Sequence, residues 1–177
     1  MMITKAFAGA CALMALAVAG QAQDQATSDK VVDSKTDWSV FVEDNPKECW
    51  GVSAPKETVN TREGRVVAAT RGQILLMVFY RPSAGATGQV AFTGGYPFQS
   101  GSTVTVNISG NEFSMFTEGE WAWPATAADD AKIVTAMKRG AQAVVSGVSS
   151  RGTATQDTFS LLGFTAAVED AEARCPS

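Results

Sequence analysis

The sequence contains no histidine. That removes the usual general base near neutral pH, the commonest zinc and copper ligand, and every triad built on an imidazole. Cysteine is almost as scarce, with three in the chain, and only Cys49 and Cys175 lie beyond the apolar N-terminal run. Two cysteines without histidine are too few for a structural zinc site. They are also too far apart for the close thiol pair that redox chemistry needs. Lysine and arginine never form a run, and the formal charge is −4 with a pI near 4.8. Nucleic acid and an anionic membrane surface are therefore disfavoured as partners. No catalytic, metal or cofactor residue is assigned.

Long apolar runs are missing too, apart from residues 6–20, a stretch shorter than the ~20 residues that cross a bilayer as a helix. Lys5 precedes it and small residues follow, the pattern of a secretory signal peptide. Gly20 and Ala22 predict cleavage before Gln23, with Ala17 and Ala19 as the second choice. Cys11 sits mid-run with Ala8 three positions before it, which argues against a lipid anchor. The expectation is a signal peptide over 1–22, a polar disordered leader over 23–36, and one domain over 37–177. The mature chain then has no transmembrane segment and belongs in the periplasm, on the outer membrane or outside the cell.

What is present is mainly β patterning. Trp38, Val40 and Val42 alternate with Ser39, Phe41 and Glu43, as in a half-buried strand. Asp44 to Lys47 turns the chain, and Cys49 to Val52 returns it. Residues 55–64 read as a long polar connection, and 65–69 as a short strand. Residues 73–80, QILLMVFY, predict a central strand buried on both faces. Residues 82–88 read as a loop, followed by further strands at 89–93, 102–108 and 112–117. Strands at this spacing point to antiparallel, β-sandwich-like sheets.

Two helices are expected, over about 126–139 and 164–175, with a hairpin of 144–149 and 153–161 between them. Thr126 and Asp129 frame the start of the first, and Gly140 its stop. In the second, Phe164, Ala167, Val168, Ala171 and Cys175 share one face at 3.6 residues per turn. An even count of two cysteines in an exported chain favours a Cys49–Cys175 disulfide over two buried thiols.

The most unusual run is FTEGEWAWP at 116–124. If it is one strand, Glu118 and Glu120 share a face, and so do Trp121 and Trp123. Two readings stand side by side. The tryptophans pack where sheet gives way to helix, or they stack on sugar rings with the glutamates as acid and base. A shorter match, Ser53-Ala54-Pro55-Lys56, has the spacing of a β-lactamase nucleophile motif but none of its companion motifs.

With DWSVFVEDNPKECWG, TGGYPF, FTEGEWAWP and SLLGFTAAVEDAEARC all present, the chain resembles the invasion-associated locus B family of exported alphaproteobacterial proteins. The likeness runs from Asp37 to Cys175. It is carried by an opening Asp-Trp strand, a following cysteine and a closing Gly-Phe-x-x-Ala helix. The family carries over no catalytic residues. Many members have a further cysteine soon after the opening tryptophan, where this chain has Phe41 and Val42, so the resemblance leaves Cys49 to pair with Cys175. It implies a non-enzymatic periplasmic or envelope protein that meets another protein or envelope component, in an envelope- or virulence-related role. The alternative is a carbohydrate-binding domain, less readily a carbohydrate-cleaving one, that uses Trp121, Trp123, Glu118 and Glu120.

Overall fold

Alternation of inward and outward residues runs through nearly every strand of the computed structural model, which describes residues 30–176. The signal peptide, its cleavage site and Cys11 lie outside the described residues. The strands are β1 (Val31–Lys35), β2 (Trp38–Asp44), β3 (Lys47–Ser53), β4 (Glu57–Arg62), β5 (Arg65–Val66) and β6 (Leu75–Arg81). A 3-10 turn at Pro82–Ala84 leads to β7 (Ala86–Thr93), β8 (Thr103–Ile108), β9 (Asn111–Glu118) and β10 (Trp121–Trp123). Helix α1 (Ala127–Arg139), β11 (Gln142–Val148), β12 (Ala154–Ser160) and helix α2 (Phe164–Arg174) complete the chain.

All twelve strands join in one antiparallel sheet of order β1-β2-β3-β6-β7-β10-β9-β8-β11-β12-β4-β5. The expected mainly β architecture with two helices is what is found. The sheet curls so that its halves meet across one core. Phe92 of β7 touches Phe159 of β12 edge-on at 6.1 Å, and the Trp38 indole of β2 donates to the Ser160 carbonyl of β12 at 3.0 Å. Val40, Leu76, Val78, Val90 and Phe92 fill the core from one half; Val104, Val106, Ile108, Val145 and Phe159 fill it from the other. The apolar run of residues 73–80 lies between β3 and β7, as a central strand should.

Both helices cover the first half. Thr126 caps α1 by accepting from the Asp129 N–H at 3.2 Å, which satisfies a donor the helix leaves unpaired. Ile133 and Met137 then point into the core. On α2 the buried residues are Phe164, Ala167, Val168 and Ala171, the face that the spacing predicts. This face lies against Gly51 of β3, whose nearest neighbours include Ala167 and Val168. Cys175, at the end of α2, bonds to Cys49 across 126 residues of chain. A loop of this length is worth about 4–5 kcal/mol if the bond acts by restricting the unfolded chain.

Several expectations need correction. The predicted disordered leader of 23–36 contains strand β1, paired with β2 from Val31↔Phe41 to Lys35↔Trp38. Its Val31 and Val32 were hidden among Asp, Ser and Lys. Chain packing holds it too: Gly163 sits at φ +89 against the Lys35 carbonyl, where a Cβ would lie 1.8 Å from the oxygen. The polar connection of 55–64 contains β4, paired with β12 from Ala154↔Thr61 to Thr158↔Glu57. Only Arg65–Val66 of the strand expected at 65–69 forms. The loop expected at 82–88 ends in the first residues of β7.

Candidate interaction surface

The outward positions of β2, β3 and β6 carry large side chains in register, and β10 adds two more. Phe41, Trp50 and Phe79 stand side by side across three strands. The first two rings stack at 5.4 Å and the next pair is tilted at 5.9 Å. Arg81 lies over the Phe79 ring at 4.0 Å and is tied to Glu48 at 3.0 Å. A neighbouring row runs Val52, Met77 and Ala91.

Hairpin β9–β10 continues this face and supplies its exposed end. The FTEGEWAWP run is not one strand, because Gly119 takes φ +60 and Gly119-Glu120 turns the chain. Trp121 therefore pairs with Glu118, and Trp123 with Phe116. Glu118 ends β9 while Glu120 lies in the turn, so the expected carboxylate pair on one strand face does not exist. Acid–base work across a sugar needs two carboxyls flanking the bond; here one carboxyl ends β9 and the other lies in the turn that follows.

The tryptophans do share a face. Their rings lie 6.1 Å apart and 19° from parallel, and Phe116 tilts against Trp123 at 5.8 Å. Phe116 is 48% exposed and Trp121 38%, with Trp123 half-buried. Ala122 between the indoles fills the core instead, so the two-residue period sets which side chains point outward. The two indoles thus pack on one another and on Phe116 at the outer face of the sheet, with Trp121 the more exposed of the two.

Other groups with chemical potential are absorbed into structure. The Ser53 hydroxyl donates to the Asp37 carbonyl at 2.7 Å, and Lys56 pairs with the Asp37 carboxylate at 2.6 Å. Burial, with Glu172 and Glu169 nearby, pushes the Tyr80 phenol up to about 12. Burial also raises Tyr96, whose hydroxyl bonds to Thr155. Among the described residues, no group of three His, Cys, Asp or Glu side chains is placed to hold a metal ion, and no helix is long and apolar enough to cross a membrane.

The feature least visible in the sequence is a buried ion pair. Arg71, in the segment between β5 and β6, meets Asp157 of β12 through two bonds of 2.7 and 2.6 Å. The two side chains are 6% and 0% exposed. Arg71 also donates to the Gly94 carbonyl at 2.8 Å and lies 5.0 Å from the Tyr96 ring centroid. Burial pushes the Asp157 carboxyl above its ordinary range, against the pull of Arg71. An arginine next to Gly72 reads as a turn, and the only hint in the sequence was an acidic residue at an inward position of a strand.

The fold and surface together define a curled β domain, closed end to end by a disulfide and bearing an aromatic outer face. The family described as invasion associated locus B (IalB) protein matches residues 38–172, and the chain belongs to that family. A crystal structure of invasion associated protein B from Bartonella henselae shares the fold, with a TM-score of 0.53 and 15% identity over 80% of this chain and 95% of that one. A search of curated proteins returned no match.

Proposed function

We propose that this chain is an exported, non-enzymatic protein of the periplasm or outer envelope that works by binding another protein or an envelope component. The surface that does so is the aromatic face ending in Phe116, Trp121 and Trp123. The observation that carries the reading is exposure: two large aromatic side chains stand in solvent on one hairpin, next to a half-buried third. Aromatics clustered on an outer face mark interaction sites more often than scattered apolar residues do. Family membership supports an envelope-related role. The test is capture from envelope extract by the intact protein and by a Trp121→Ser, Trp123→Ser variant. A partner retained by the first and lost by the second supports the reading; equal capture by both would sink it. Export is tested separately, by the mass of the mature protein recovered from the periplasmic fraction.

Carbohydrate binding remains as a second reading, because the exposed Trp121 indole lies nearly parallel to that of Trp123, and a sugar ring can stack on an indole face. Titration with soluble envelope glycans, followed by tryptophan fluorescence, separates the two. Saturable quenching abolished in Trp121→Ser favours the sugar.

A further inference from the structure

A cleft of about 540 Å³ opens beside the buried Arg71–Asp157 pair. One wall is the segment of residues 67–72. Arg71 anchors it from beneath, the Gly72 N–H donates to the Gly95 carbonyl at 2.8 Å, and the Val67 N–H donates to the Asn60 carbonyl at 2.9 Å. The opposite side is the turn between β11 and β12, with Ser150, Arg151 and Thr153. Arg62 reaches across from β4, donating to the Thr153 hydroxyl at 2.7 Å and to the Arg151 carbonyl at 3.4 Å. Both bonds use one guanidinium nitrogen, and Arg62 lines the cleft. Val67, Ala68, Ala69 and Pro97 supply an apolar strip.

Charge is distributed unevenly around this cleft. Every lysine among the described residues has a carboxylate partner, and so do Arg71, Arg81 and Arg174. The arginines without one are Arg62, Arg65, Arg139 and Arg151, and two of these line the cleft. In a chain of charge −4, positive charge is left uncompensated beside a walled, partly apolar recess. A guanidinium fork suits a carboxylate or phosphate better than any other ligand group. Glu120 at the rim disfavours a bare polyanion.

We infer that this cleft is a binding site for a small organic anion, a carboxylate on a short apolar body, held by Arg62 and Arg151 with the Thr153 and Ser150 hydroxyls beside them. The apolar body lies along Val67 to Ala69. Arg71 is a positioning residue, spent on Asp157 and fixing the wall. The cleft adjoins the aromatic face at the β9–β10 turn, where Glu120 lines the cleft and Trp121 follows. Trp121 is not part of the lining, and the test of the cleft does not depend on the reading of that face.

The experiment is isothermal titration of the intact, disulfide-bonded mature protein at low salt, with hexanoate and separately with inorganic phosphate. Hexanoate is expected to bind, and Arg62→Ala with Arg151→Ala should weaken it by at least about tenfold. Glu120→Gln should tighten it by roughly threefold through loss of a like charge. Trp121→Ser should leave it unchanged, which keeps the outcome distinct from that of the aromatic face. Absence of binding by either probe overturns the site, as does undiminished affinity in the folded double variant. Phosphate binding as tightly as hexanoate would overturn the apolar-body assignment.

Discussion

The two halves of the sheet are alike inside and unlike outside. Inward positions are mostly aliphatic or aromatic, Leu76 and Phe92 in one half answering Val106 and Phe159 in the other, with the buried Asp157 of β12 a charged exception. Outward positions diverge. β2, β3 and β6 present Phe41, Trp50 and Phe79, whereas β8, β11 and β4 present Thr105, Ser146 and Thr61. An antiparallel sheet with one solvated face needs polar outward residues for solubility and apolar inward ones for stability. The hydroxyl half obeys that rule. The aromatic half departs from it, and folding alone does not require the departure. Inner faces therefore report how the chain folds, and under the proposed binding role the aromatic outer face is where it meets a partner.

The sharpest test of the inner side is the bond that closes it. Replacing Cys49 and Cys175 together by serine should lower unfolding free energy by about 4–5 kcal/mol, measured by urea denaturation. That is a large part of the roughly 5–15 kcal/mol available to a domain. A loss below about 1 kcal/mol would mean that the covering helix docks without its staple.

Next in size is a paired substitution across one half-sheet. Phe92→Ala, on the inner face, should cost about 3–5 kcal/mol through a core cavity. Phe79→Ala, on the outer face, should cost less than Phe92→Ala, because its ring is partly exposed and its loss opens no enclosed cavity. Comparable losses would show that the aromatic face is a second core, and the distinction between faces would fail.

How much of this was legible follows the same division. Strands β2, β3, β8 and β9 and both helices could be read because their apolar period faces the common core, and so could the position of Cys175 on the docking side of α2. Strand β4, with the sequence ETVNTR, could not be. Its inward Asn60 faces Thr155, and its Thr58 faces Asp157, so it borders the polar cleft and carries no apolar signal. The Arg71–Asp157 pair joins residues 86 positions apart, and no local pattern links them. The aromatic run stands out in the sequence, but continuous alternation gives it the wrong geometry, because Gly119 turns the chain.

Asp130 provides a smaller test, of what the inner side tolerates. It is buried at the start of α1 and accepts from the Val90 N–H at 2.8 Å. Burial raises its pKa, with the Asp129 charge adding to the effect and the Val90 bond opposing it. A carboxyl raised in the folded state holds its proton to higher pH than in the unfolded chain. Its contribution to stability is complete below the ordinary carboxyl range and is lost as pH rises through the raised value. Asp37, Glu43 and Asp129 are lowered by their lysine partners and act in the opposite direction, so the variant must be compared with the parent at each pH. Asp130→Asn keeps an oxygen for Val90 and removes the charge. Its stability relative to the parent should improve from acid to neutral pH, by no more than about 1 kcal/mol. A pH-independent difference would show that Asp130 does not titrate in that window.

The smallest expected change in stability belongs to the residue expected to matter most for binding. Trp121 is exposed at the end of the aromatic face, and its loss removes few core contacts, so Trp121→Ser should alter unfolding free energy by about 0.5 kcal/mol or less. The same substitution should markedly reduce capture of the partner, as expected for an exposed aromatic anchor. Thr105→Ala, outward on the hydroxyl half, should be equally mild in stability and leave capture intact. If Thr105→Ala reduces capture and Trp121→Ser does not, the binding face is the other half of the sheet. If Trp121→Ser instead destabilises the domain by several kcal/mol, the aromatic face belongs to the fold, and the contrast between inner and outer surfaces no longer separates folding from function.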